Sequence, residues 1–216
     1  MKSNKTYAVF GLGRYGTAVA RELVENGAEV IAVDNEERIV NDAAAYLPVC
    51  KRADVTDAEV ISRLGIGNID TVIVCMASNL EASVMAVTLC KEAGVRTVIA
   101  KCADEMQQKI LLRVGADRVV FPENESGIRL AKNLLSSGFI DMLSLSRDIS
   151  VIEIDVKNEW CGKNLIELNL RKKYGFNIVA IKKGGNVNAD VNPEQVLDAE
   201  SSLIVIANVA KLGKLK

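Results

Sequence analysis

Apolar and polar positions fall into alternating short blocks over roughly the first 120 residues, and the block lengths predict a strand–helix rhythm. Ala8-Val9-Phe10 is a short apolar strand. From Thr17 to Asn26, Ala20, Leu23 and Val24 share one helical face, Arg21, Glu22 and Glu25 share the other, and Gly27 follows the end. Val30 to Val33 is a second apolar strand closed by Asp34. Val49-Cys50 opens a weak third strand; Thr56-Asp57-Ala58-Glu59 reads as a capping box for a helix stopped by Gly65. Thr71 to Met76 is apolar on both faces, as a parallel strand covered by helices on both sides must be. Asn79 caps the next helix, which ends at Ala93-Gly94. Arg96 to Lys101 is a fifth strand, Asp104 to Gln107 caps a helix whose Met106, Ile110 and Val114 share a face, and Asp117 to Phe121 is a sixth strand stopped by Pro122. Six strands alternating with five helices predict an α/β fold, a Rossmann-type doubly wound parallel sheet.

Beyond Pro122 the rhythm changes. A helical pattern runs through Gly127 to Leu135 and ends near Gly138, and Phe139 to Leu145 then stays apolar, so that a second subunit or the chain's own later lobe is needed to cover it. Val151 to Val156 alternates as a half-exposed strand, Asn164 to Lys173 reads as a short helix, and Asn177–Ile181 and Leu203–Ala207 read as strands, with a hairpin turn at Gly184-Gly185-Asn186. The predicted organisation is a nucleotide-binding lobe over residues 1–122, a crossover helix and linker over 123–145 acting as a dimer contact, and a small α+β lobe over 146–216. So small a lobe commonly leans on a partner.

Composition narrows the function. Lys and Arg total 27 against 28 Asp and Glu, and aromatics are 4%, so neither a basic field nor stacking platforms point to nucleic acid. No apolar run approaches the roughly 18–20 residues of a membrane span, and no signal-peptide core precedes Gly11, which predicts a cytosolic protein. The five cysteines include no CxxC pair and read as buried thiols. Histidine is absent, which removes His-based triads, His metal sites and the commonest general base. Charge is uneven in the second lobe: residues 157–183 carry seven bases and two acids, whereas 190–200 carry four acids and no base. Either a solvated surface or a second anionic ligand accounts for it.

The first three blocks also carry chemistry. Gly11 permits the turn out of the first strand, Gly13 lets backbone approach a phosphate, and Gly16 lets the following helix pack on the sheet. The helix start offers N–H donors, and Asp34, 18 residues after Gly16, stands where a carboxylate accepts from ribose hydroxyls. Strand, glycine loop, helix and acid in this order point to a bound adenine nucleotide, with a purely structural turn as the other reading.

Ala8-Val-Phe-Gly-Leu-Gly-Arg-Tyr-Gly16, Ala32-Val-Asp34, Ala53-Asp-Val-Thr56 and Gly115 to Glu123 together resemble the RCK amino-terminal domain of potassium-uptake regulators. Leu168 to Gly175 and Ile178 to Lys182 are similar to the RCK carboxy-terminal lobe. A single copy of each lobe resembles the Ktr-type subunit more than the duplicated Trk type. The resemblance implies a non-enzymatic switch: homodimers assembled into an octameric ring beneath a membrane potassium channel or transporter, with ATP favouring conduction and ADP the closed form. It places the nucleotide against Gly11, Gly13, Arg14, Tyr15, Gly16, Asp34, Asp54, Val55 and Lys101. Arg14 and Lys101 are cations poised for the terminal phosphate, and Glu123 matches the family's acid for a divalent cation, magnesium or calcium. In the second lobe, Leu170, Arg171, Asn177 and Ile178 stand at the places of a cyclic di-AMP site. The alternative is a small NAD(H)-dependent reductase or redox sensor, for which Asp34 favours NAD over its 2′-phosphorylated relative. The reductase needs a proton donor: there is no histidine, and neither Tyr46 nor Tyr174 has a lysine at Tyr-x-x-x-Lys spacing.

Overall fold

The computed structural model describes residues 5–135, 139–146 and 148–208, and the chain divides into two compact units, 1–123 and 124–216. In the first unit, β1 (Thr6–Phe10), β2 (Glu29–Asp34), β3 (Cys50–Arg52), β4 (Thr71–Val74), β5 (Thr97–Lys101) and β6 (Arg118–Val120) form one parallel sheet of order β3-β2-β1-β4-β5-β6. The connections are α1 (Arg14–Glu25), α2 (Glu37–Ala43), α3 (Ala58–Arg63), α4 (Leu80–Glu92) and α5 (Glu105–Arg113). Side chains of one strand alternate between two cores. Val9 joins Ala20, Ala32, Ala43 and Ile73 on one face, while Ala8 and Phe10 join Val72, Val87, Val98 and Leu111 on the other. Apolar packing on both faces is what the unbroken apolar strands require.

The structure departs from the local sequence pattern at four places in this unit. Helix α1 starts at Arg14, so Arg14, Tyr15 and Gly16 form its first turn. The third strand lies at Cys50–Arg52, slightly later than its apolar onset. Asp57, not Thr56, caps α3, accepting from the Glu59 N–H; Thr56 is instead held by Asp54. Met106 is 64% exposed, and the residue α5 buries is Leu111. Asn79 and Asp104 do cap α4 and α5, accepting from the Ala82 and Gln107 N–H groups.

Helix α6 (Pro122–Leu135) leads into the second unit; the end read near Gly138 lies outside the described residues. There β7 (Phe139–Ser144), β8 (Ile149–Asp155), β9 (Asn177–Lys183), β10 (Asn186–Asn188) and β11 (Ser201–Asn208) form an antiparallel sheet of order β10-β9-β11-β8-β7. Residues 139–144, read as a linker, are an edge strand paired with β8. The helix read over 164–173 is two, α7 (Leu165–Leu168) and α8 (Leu170–Tyr174), parted by Asn169 at φ 47°. The hairpin forms with a two-residue turn, Gly184-Gly185, and Asn186, read as part of the turn, is the first residue of β10, paired with Lys183. One sheet face packs Ile152, Ile154, Leu203 and Val205 against Trp160, Leu170 and Phe176.

Candidate functional site

The strand order reverses direction of growth at β1, whose neighbours β2 and β4 are reached by opposite crossovers, and ligands in such sheets bind beyond the strand ends at that point. A cleft of about 380 Å³ lies there, with walls from the loops after β1, β2, β3 and β4.

Its floor is the glycine loop, and the three glycines serve three different needs. Gly11 has φ +86° and donates its N–H to the Val33 carbonyl at 2.9 Å; a Cβ there would lie 2.8 Å from Met76 Cγ. A Cβ on Gly16 would collide with the Gly11 carbonyl oxygen. Gly13 differs: its backbone is extended at φ −64°, and a Cβ would meet nothing within 4 Å. Among the described residues no neighbour demands a glycine there, whereas a phosphate drawn close to the backbone would. Gly13 is also the residue that precedes α1, which has no side-chain cap and no acid in its first turn. Uncapped N–H groups and the positive end of the helix favour an anion. The residues present therefore fit a nucleotide phosphate.

Asp34 ends β2 and fixes two of the walls. Its Oδ2 accepts the Leu12 N–H at 2.7 Å and its Oδ1 accepts the Glu36 N–H at 2.9 Å, while the Thr17 hydroxyl donates to the Leu12 carbonyl at 2.7 Å. The carboxylate thus orients the glycine loop, and the second lone pair on each oxygen is the capacity left for ribose. Asp54 lies across the cleft after β3. Its Oδ1 accepts the Thr56 hydroxyl at 2.7 Å and the Thr56 N–H at 2.9 Å, which holds its carboxyl below the ordinary range. Val55 is buried against the core behind it. Asp34, Glu36 and Asp54 line the cleft together, and no lysine or arginine is among its lining residues.

The cations lie beside the cleft. Arg14 is exposed at the start of α1. Lys101 ends β5, with its side chain 15% exposed; its Nζ is 2.6 Å from Glu123 Oε1 and 5.5 Å from the centre of the Tyr15 ring. The hydrogen bond from Lys101 holds the Glu123 carboxyl below its ordinary range. Burial pushes the Cys75 thiol, on the cleft wall, up to about 12, with the Lys101 charge opposing. Tyr15, Lys101 and Glu123 are therefore one cluster beside the first turn of α1. Among the described residues no three acids or cysteines gather as a metal-holding group, so a cation at Glu123 needs ligands from the nucleotide or another subunit.

In the second unit, Leu170 is 2% exposed in the core, where it backs a surface but cannot line one. Arg171 and Asn177 are exposed on either side of the turn at Gly175, and Ile178 is half-buried against the same core. Sequence reasoning missed Glu36, Cys75, Met76, Ser78 and Asn79 as lining residues. The available signal was topological: they follow the carboxyl ends of β2 and β4, the strands flanking β1.

The TrkA-N domain family model matches residues 7–122, and the TrkA-C domain model matches 149–216. Ktr system potassium uptake protein C of Bacillus subtilis is 38% identical over 212 residues, which is 98% of this chain and 96% of that protein. The chain belongs to the RCK (TrkA-N/TrkA-C) family of Ktr-type potassium uptake regulators. Ktr system potassium uptake protein A of Vibrio alginolyticus is 33% identical over 99% of the chain and 97% of its own length. Among solved structures, the GsuK channel bound to NAD matches with a TM-score of 0.67 at 17% identity, covering 99% of this chain and 39% of that one, which is a likeness of fold. Among the described residues no helix is long and apolar enough to cross a membrane.

Proposed function

We propose that this chain is the cytosolic nucleotide sensor of a Ktr-type potassium channel or transporter, held at the inner face of the membrane by that partner and not itself an enzyme. Adenine nucleotide occupies the cleft over Gly11, Gly13 and Gly16, the Asp34 carboxylate takes the ribose, and Asp54 and Val55 flank the adenine. ATP favours the active state and ADP the inactive one, because the two ligands differ by one phosphate and only the groups that meet it can separate two conformations. Those groups are Arg14, Lys101 and a magnesium or calcium ion at Glu123. Homodimers assemble into an octameric ring, and cyclic di-AMP is a second, inhibitory ligand of the later lobe, held by Arg171 and Asn177 with Ile178 beneath and Leu170 behind. The observation that carries the reading is Gly13, a glycine that nothing among the described residues requires, before an uncapped helix, in a chain matched nearly end to end by Ktr proteins.

The acid-rich cleft also favours a second reading. Asp34, Glu36 and Asp54 suit the hydroxyls of an unphosphorylated ribose and repel a 2′-phosphate, so NAD(H) is the competing ligand. Calorimetric titration of the full chain with ATP, ADP, NADH and cyclic di-AMP, with and without magnesium and with light scattering alongside, separates the two. ATP and ADP binding to a large oligomer, plus an independent cyclic di-AMP site, is expected. Binding of NADH alone to a small dimer overturns the potassium-regulator reading in favour of a redox sensor.

A further inference from the structure

Among the described residues, Lys101 places its ammonium against Tyr15 and Glu123 beside the first turn of α1, and its charge is already committed. Its Nζ sits 2.6 Å from Glu123 Oε1 and under the Tyr15 ring, and Tyr15 belongs to the first turn of α1. The two ends of the pair differ in freedom: the Lys101 side chain is 15% exposed, whereas that of Glu123 is 63% exposed. An incoming anion at the first turn of α1 therefore meets a largely buried cation whose present partner is the more exposed one. Glu123 is also the second residue of α6, and the helix continues from Asn124 into the second unit.

We propose that the Lys101–Glu123 pair is a phosphate-exchanged latch: the terminal phosphate of a nucleoside triphosphate takes the Lys101 ammonium from Glu123, so that the carboxylate in the first turn of α6 loses this partner, and a diphosphate leaves the pair closed. The inference rests on the adenine-nucleotide reading above. It gives Lys101 a positioning role that changes partner between ligands, and it gives the helix joining the two units a direct electrostatic link to the phosphate count. Tyr15 holds the ammonium in place during the exchange, since the ring face attracts the cation with either partner.

The test is calorimetric titration of the full chain with ATP and with ADP in excess chelator, so that no cation bridges Glu123 to phosphate. Glu123→Gln removes the competing anion. The ratio of ATP to ADP affinity is expected to rise about two- to fivefold, the range for an exposed ion pair. In a Lys101→Met background, or Lys101→Gln if the former does not fold, that rise should shrink to less than half. An unchanged or lowered ratio in Glu123→Gln overturns the latch. So does an equal rise in both backgrounds, which would be plain repulsion between Glu123 and phosphate. A wild-type chain that binds neither nucleotide instead overturns the reading beneath it, and that titration is read before any variant.

Discussion

Single glycine-to-alanine changes in the phosphate loop should separate into folding lesions and a binding lesion. Gly11→Ala puts a side chain at φ +86°, which costs about 1–2 kcal/mol, and pushes on Met76, whose flexible end can move. Gly16→Ala regains up to ~1 kcal/mol of helix propensity. Its Cβ, however, would stand on the Gly11 carbonyl oxygen, and Gly11 cannot withdraw without losing its hydrogen bond to Val33. A net loss of about 2 kcal/mol follows, within the range for overpacking. Gly13→Ala meets an ordinary backbone conformation and empty space, so its stability should stay within about 0.5 kcal/mol of wild type. Its methyl group nevertheless stands where the phosphate must approach, and a tenfold or greater loss of ADP affinity, ~1.4 kcal/mol, is expected. Urea unfolding followed by far-ultraviolet circular dichroism gives the first quantity and calorimetry with ADP the second. A Gly13→Ala protein that binds ADP as wild type does, or that unfolds as readily as Gly16→Ala, refutes the assignment of the loop.

Further expectations come from other parts of the chain. Burial pushes the Cys75 and Cys90 thiols up to about 12, while the unfolded chain releases these protons near 9.0. The unfolded state then binds fewer protons above that pH, so stability falls as pH rises from about 9, by up to about 1.4 kcal/mol per pH unit for each thiol. The urea midpoint should show this slope, and Cys75→Ala with Cys90→Ala should flatten it whatever they do to the midpoint itself. Asn169→Ala places alanine at φ 47° and should destabilise the second unit by about 1 kcal/mol, read from Trp160 fluorescence, whereas Asn169→Gly should not. Arg14→Ala should narrow the ATP-over-ADP preference in calorimetry while adenosine still binds. Arg171→Ala should abolish cyclic di-AMP binding and leave ATP binding intact; equal weakening of both would show that the two ligands do not have separate sites.

What the sequence reveals depends on whether a contact is local. The central parallel strands are legible because each must be apolar on both faces, whereas the edge strand β3 is not; Asn79 and Asp104 are legible as caps because a cap needs only its own next turn. On α5, by contrast, the sets Met106, Ile110, Val114 and Gln107, Leu111, Val114 both fit one helical face, and apolar spacing alone prefers the wrong one. The β7–β8 hairpin escapes notice because no glycine or proline marks its turn. Ser146 closes it, its hydroxyl accepting the Ile149 N–H at 3.1 Å. Asn169 interrupts a good helical pattern with a left-handed residue that asparagine tolerates. In the cleft, the Gly-loop and Asp34 follow from spacing, but the double grip of Asp34 on Leu12 and Glu36 does not. The Lys101–Glu123 pair joins positions 22 residues apart that only the placement of β5 beside the start of α6 brings together.

A single exposed ion pair looks too weak to govern a channel, and alone it would be. A ligand moves a conformational equilibrium only by its differential affinity for the two states, and shifting 1:99 to 99:1 requires a preference of about 10⁴. An exchange at Lys101 supplies about fivefold at most per chain. In a ring that changes shape as one body, however, the per-site preferences multiply, and fivefold at each site of an octamer would give about 4 × 10⁵. In the proposed ring, a weak, partly exposed latch is then sufficient. The same reasoning requires that a variant confined to dimers bind ATP and ADP with almost the wild-type per-site ratio yet respond to their mixture over a far broader range of composition.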